Sequence, residues 1–215
     1  MIELKNVNKQ FKNKILFKNL NYVFENGKTY HIKGENGSGK SVLLKLICGF
    51  SLCDSGCIVI DGKIINKDID FINNAGISIN NENFITYLNG YDNLKLLLDI
   101  QKKVSMDEIN RYASLFYMED EIKKVPYKLY SQGMKQKLRL IQAFIENPQY
   151  IIIDEPTNAL DEKSIKVLYD LIKESKKDMN KIIIFITHND EIINDLADVH
   201  LLIKDYHLKE IDNHI

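Results

Sequence analysis

Hydrophobic spacing changes several times along this chain, and each change predicts a different kind of element. Near the start, apolar side chains alternate: Ile2 and Leu4, then Leu20, Tyr22 and Phe24. That two-residue period predicts half-buried antiparallel strands over 2–7 and 15–24. Asn26-Gly27 supplies a turn, Thr29–Lys33 reads as a short strand, and Val42–Phe50 reads as a helix ending near Gly49. Ile58–Ile60 before Asp61-Gly62 is a further strand and turn. From about Asn89 to Asn147 the period is helical. Leu94, Leu97, Leu98 and Ile100 open it, Ile109, Tyr112, Leu115 and Phe116 continue it, and Pro126 and Pro148 punctuate it. Tyr150–Ile153 and Ile182–Ile186 are then apolar throughout, with a helical pattern, Ser164–Ser175, between them. Strands apolar on both faces and joined by a helix predict a parallel sheet covered on both sides. The tail, 199–211, alternates weakly and reads as a final hairpin. The pattern as a whole is an α/β core with an early antiparallel portion and a helical insertion.

Composition narrows the class without naming a function. A length of 215 residues gives ample chain for a core, and 45% apolar with 27% charged residues is ordinary for a globular protein. The longest apolar run, Ile182–Ile186, is far short of the about 20 residues that span a bilayer. No signal-peptide core follows Glu3, Lys5 and Lys9, so the expectation is a soluble, cytoplasmic chain with no membrane span. A net charge of -1 argues against a wholesale nucleic-acid binder, though not against a local basic patch. The lysines between Lys102 and Lys137 read either as a solvated helical face or as the lining of a partner groove. Cys48, Cys53 and Cys57 lack a fourth metal ligand nearby and read as reduced thiols.

Chemistry enters with Gly34-Glu35-Asn36-Gly37-Ser38-Gly39-Lys40-Ser41, which fits G-x-x-x-x-G-K-[ST] between a predicted strand and a predicted helix. Glycines let the backbone curl until successive N–H groups face phosphate oxygens, and the helix adds its positive dipole end. Lys40 can then reach the β- and γ-phosphates, and Ser41 can ligate Mg²⁺. The strand Tyr150–Ile153 ends in Asp154-Glu155. At the carboxyl edge of a parallel sheet, Asp154 is suited to hold Mg²⁺ and Glu155 to polarise a water against the γ-phosphate. A second strand end, Ile186-Thr187-His188, brings a histidine to the same edge, either to bond a phosphate oxygen or to position Glu155. Ser131 reads as a helix cap, and Met134, Leu138, Ile141 and Ile145 form an apolar stripe that seats its helix on the core.

Over nearly its whole length the chain resembles the nucleotide-binding subunits of ATP-binding cassette (ABC) transporters. GENGSGKS resembles the family's Walker A loop, YIIIDEP its Walker B strand, Asn158–Asp161 its D-loop, and Thr187-His188 its switch histidine. The implied fold is a P-loop NTPase core with a mixed sheet, an N-terminal antiparallel portion, and a helical subdomain inserted between Walker A and Walker B. The implied organisation is a single domain over 1–215, with the core at about 1–88 and 148–215 and the helical subdomain at about 89–147. The resemblance implies ATP and Mg²⁺ as cofactors, with Glu155, His188 and Lys40 catalytic. It implies nucleotide contacts from Phe11, Gly34, Asn36, Gly37, Ser38, Gly39, Lys40, Ser41, Val42, Ser131, Gly133 and Asp161, and metal contacts from Ser41, Asp154 and Asn80. Phe11 stands where the family stacks an aromatic on adenine; the other reading is a core residue.

Two positions depart from the family pattern. Ser131-Gln132-Gly133-Met134-Lys135-Gln136 takes the place of the signature LSGGQ, keeping Ser131 and Gly133 while Gln132 and Met134 depart from it. Asn80 stands where the Q-loop glutamine should be, one methylene shorter, with Glu82 as a substitute. The signature variant resembles cassettes of bacterial exporters of peptides, antibiotics or small amphiphiles. Implied partners are a second cassette, as a homodimer, and a separate transmembrane permease docked near 78–100, at the inner face of the cell membrane. The competing functions are a non-transport ABC ATPase and a small P-loop phosphotransferase.

Overall fold

The computed structural model describes residues 1–12, 14–79, 84–101, 105–188 and 195–212. The early alternation becomes two long strands, β1 (Ile2–Phe11) and β2 (Lys14–Phe24), paired antiparallel from Ile2 opposite Phe24 to Phe11 opposite Lys14. After β3 (Lys28–Lys33), the chain adds β4 (Ser55–Ile60) and the short β5 (Lys63–Ile64) to the first sheet, in the order β2-β1-β4-β5. Asp61 and Gly62 join that last pair with φ of 48° and 82°, the double positive φ that a two-residue hairpin loop requires.

The second sheet holds the strands that position the site. With β6 (Ala75–Ser78), β7 (Tyr150–Asp154), β8 (Ile182–Ile186), β9 (Val199–Lys204) and β10 (His207–Ile211), its order is β10-β9-β3-β8-β7-β6. β9, β3, β8, β7 and β6 run parallel, and β10 closes one edge antiparallel to β9. The apolar runs of β7 and β8 divide their side chains between two layers. Tyr150, Ile152, Ile182, Ile184 and Ile186 join the core shared with the antiparallel sheet. Ile151, Ile153, Ile183 and Phe185 face the helices. Burial on both faces is why these strands carry no polar alternation.

Among the described residues the α-helices are α1 (Lys40–Cys48), α2 (Gly90–Gln101), α3 (Met106–Leu115), α4 (Glu121–Lys124), α5 (Gln132–Phe144) and α6 (Glu162–Ser175). α1 ends at Gly49, near where the sequence places its end, because Gly49 turns left-handed at φ 86° and its N–H returns to the carbonyl of Leu46. β6 escaped the pattern reading. It is four residues long and carries Gly76, where a Cβ would lie 1.7 Å from the carbonyl oxygen of Ala143. Only a residue without a side chain lets α5 lie this close to the sheet.

Candidate functional site

Because β3, β7 and β8 are parallel and in register, their carboxyl ends meet at one edge of the sheet, with Asp154 opposite Ile186 and Ile186 opposite Ile32. The loop after β3 curls with φ of 77° at Gly37 and 104° at Gly39, the two turns that need glycine there. A Cβ on Gly39 would press on Phe17 at 3.0 Å, and one on Gly37 would meet Lys14 Nζ at 3.2 Å. The Lys40 side chain is buried and donates to the carbonyls of Gly34 (2.7 Å) and Glu35 (3.1 Å), which holds its ammonium inside the curl. Ser38 Oγ is buried without a hydrogen-bond partner among the described residues. Gly39 is the N-cap of α1, and no side chain among the described residues caps this helix start. A ring of glycines, an unpaired buried hydroxyl, an uncapped helix start and a buried cation together form a concave anion cradle. Asn36 is exposed on its rim, and Ser41 and Val42 are half-buried at its floor.

Asp154 is buried at the end of β7, and Glu155 follows in a left-handed turn, φ 49°. Its N–H donates to the carbonyl of Ile186 (2.8 Å), which ties the strained residue to the neighbouring strand. Burial pushes its carboxyl above the usual glutamate range, partly offset by His188 and Lys40. His188 Nε2 lies 3.2 Å from Glu155 Oε1. The histidine itself is exposed, so the pair bridges the buried strand ends and the surface above the cradle.

The remaining sequence-derived positions fall into two groups. Phe11 is half exposed at the end of β1, with Lys9 Nζ 4.8 Å from its ring centroid, so the core alternative does not hold. Ser131 caps α5, its Oγ accepting from the N–H of Met134 at 3.1 Å, and the stripe of Leu138, Ile141 and Ile145 is buried as expected. Gly133 lies beneath the loop after Glu155, where a Cβ would be 2.8 Å from the carbonyl oxygen of Ala159. Asp161 caps α6 by accepting from Ser164 N–H (2.8 Å) and pairs with Lys137 Nζ (3.0 Å). Those two contacts, the backbone donor first, hold its carboxyl down at about 2. Asn80 and Glu82 lie outside the described residues.

Two linking residues carry no mark in the hydrophobic pattern. Gln136 is buried on α5, and its amide donates to the carbonyls of Pro156 (3.0 Å) and Glu155 (3.3 Å). Lys137, the next residue, supplies the partner of Asp161. A buried glutamine is uncommon, yet nothing local in the sequence marks this one as buried.

The fold and the site together define an ATP-binding P-loop enzyme in which one helix start, at Ser131, is latched to the loop that carries the acidic pair. The profile of the ABC transporter family matches residues 17–158, and the chain belongs to this family, as an ATP-binding subunit with ATPase activity and ATP and Mg²⁺ as its cofactors. It is 37% identical over 94% of its length to the ABC transporter ATP-binding protein YybJ of Bacillus subtilis, spanning 91% of that protein. It is 29% identical to the methionine import ATP-binding protein MetN of Clostridium tetani, over 92% of this chain and 64% of MetN. It is 30% identical to the lantibiotic transport ATP-binding protein SrtF of Streptococcus pyogenes, over 92% of this chain and 84% of SrtF. A dimeric structure of the ATP-binding cassette MJ0796 bound to ADP and Pi superposes over the full length of both chains, with a TM-score of 0.85 at 23% identity; it supports the fold.

Proposed function

We propose that two copies of this chain close head-to-tail around two ATP molecules and drive a separate membrane permease. The contact between Glu155 and His188, 3.2 Å apart beside the anion cradle, carries the proposal. In this reading Lys40 lends positive charge to the phosphates, and Gly34, Asn36, Gly37, Ser38, Gly39 and Val42 line them with backbone and hydroxyl donors. Phe11 offers an exposed face for the adenine. Ser41 and Asp154 would hold Mg²⁺, which when bound neutralises phosphate charge. Glu155 accepts a proton from the attacking water, and a carboxyl raised by burial is a stronger base than an exposed one. His188 holds the Glu155 carboxylate in place. Ser131, Gly133 and Asp161 face the nucleotide of the second copy, where the start of α5 presents N–H groups to the γ-phosphate.

The same reading seats the permease in a groove of about 390 Å³ lined by Phe50, Ala75, Ile77, Leu96, Leu97 and Gln142. Phe50, Leu96 and Leu97 are exposed apolar residues clustered at this groove, as expected of an interaction surface. The chain would work at the inner face of the cell membrane. Export of a peptide, antibiotic or other small amphiphile is supported by the signature variant at 131–134 and by the likeness to SrtF. MetN is an import protein by name, whereas the name of SrtF gives lantibiotic transport without a direction.

The substitution Glu155→Gln tests the reading. The variant should bind ATP as the parent does, lose turnover by about a hundredfold or more, and run as a dimer by light scattering when ATP is present. Unchanged turnover overturns the assignment. Transfer of phosphate to a metabolite instead of water would identify a phosphotransferase.

A further inference from the structure

Two buried histidines lie behind the site and take no part in the chemistry described so far. His31, on β3, and His200, on β9, are direct register partners, and their rings face the helical side of the sheet with Phe185, the partner of His31 on β8. His31 is fully buried and His200 nearly so. Their Nδ1 atoms are 3.3 Å apart, and His31 Nε2 is 3.2 Å from the carbonyl oxygen of Thr187. The His31 ring stacks on Phe185, with centroids 5.2 Å apart and planes at 23°, which fixes its orientation.

The pattern of acceptors orders the protons. A carbonyl oxygen can only accept, so a neutral His31 carries its proton on Nε2 and presents a bare Nδ1. His200 must then donate from Nδ1. The result is a short directed chain: His200 Nδ1–H to His31 Nδ1, and His31 Nε2–H to the carbonyl of Thr187. That carbonyl, one residue past the end of β8, belongs to the peptide that leads directly into His188. Fixing it fixes the height at which the backbone leaves the sheet, and so where His188 meets Glu155.

We propose that His31, oriented by His200, is a positioning residue for hydrolysis: it anchors the Thr187 carbonyl so that His188 holds Glu155 in its working orientation. This rests on reading Glu155 and His188 as the hydrolytic pair. His31→Leu, in the full chain, should lower kcat about tenfold and leave KM for ATP within about twofold, since the phosphate cradle is untouched. His31→Gln should restore most of kcat, because its amide can donate to the same carbonyl while its oxygen accepts from His200. In the background of His188→Ala, His31→Leu should cost nothing further. If His188→Ala itself leaves turnover intact, the hydrolytic reading fails and this inference falls with it. If His188→Ala lowers turnover while His31→Leu does not, or the two losses multiply, the inference alone is overturned. Should His31→Leu not fold, ring nitrogen-15 NMR of the unsubstituted chain decides. Protons on His31 Nε2 and His200 Nδ1 are expected, and a bare His31 Nε2 overturns the proposal.

Discussion

Glu155 concentrates the conflicts of the site in one residue. It takes a left-handed φ that a branched or long side chain rarely adopts, and it keeps a carboxyl in a place that disfavours its charge. Its folded pKa lies above that of the unfolded chain, so the folded state binds this proton more tightly. The contribution to stability is therefore present below the unfolded pKa and lost as pH rises through the folded one. Glu155→Gln should consequently melt above the parent near pH 8, and the gap should close as the buffer approaches pH 4. A gap that widens on acidification would show that the carboxyl is not raised. Turnover has the opposite dependence. It needs the ionised base and should decline on acidification from a pH above the ordinary glutamate range of about 4.3.

At the scale of elements, the start of α5, the turn at Glu155 and the start of α6 form one latched unit. Gln136 ties α5 to the Glu155 and Pro156 carbonyls, Gly133 lets the Ala159 carbonyl approach, and Lys137 reaches Asp161. Asp161 has two duties within this unit, and two substitutions separate them. Asp161→Ala removes both cap and ion pair and should cost about 1 kcal/mol in urea denaturation. Asp161→Asn keeps a good capping oxygen and gives up only an ion pair with a largely exposed carboxylate, worth a few tenths of a kcal/mol at most. Equal losses in the two variants would mean that the cap contributes nothing. The depressed pKa of Asp161 carries the reverse sign to that of Glu155: its stabilisation holds above the ordinary aspartate range and fades as pH falls through about 2.

At the scale of the molecule, the proposed permease groove is separate from the nucleotide edge, and this separation can be tested. Leu97 is 40% exposed on α2 and lines the groove. Leu97→Glu should leave ATP turnover of the isolated chain within about twofold, yet reduce co-purification of the membrane partner by about tenfold or more, as truncating a hot-spot side chain does. A membrane partner captured equally well would place the contact elsewhere.

What the sequence determined by itself were the features carried by spacing and backbone chemistry. Gly34–Ser41 could be read because a phosphate cradle needs glycines at fixed intervals, and β7 and β8 because strands buried on both faces show unbroken apolar runs. The cap at Ser131 and the turn at Asp61-Gly62 followed from the same local rules. Tertiary structure alone decided what depends on neighbours distant in sequence. β6 was hidden because its identity comes from pairing with β7 and from the close approach of Ala143 to Gly76. Gln136 and Lys137 looked like ordinary helical polar residues until the fold brought Glu155 and Asp161 beside them. The pairing of His31 with His200 spans 169 residues and exists only because β3 and β9 became neighbours in the sheet. A local pattern records the conformation that a segment must adopt. It does not record which side chain will face it, because that is set by register and packing across the whole chain.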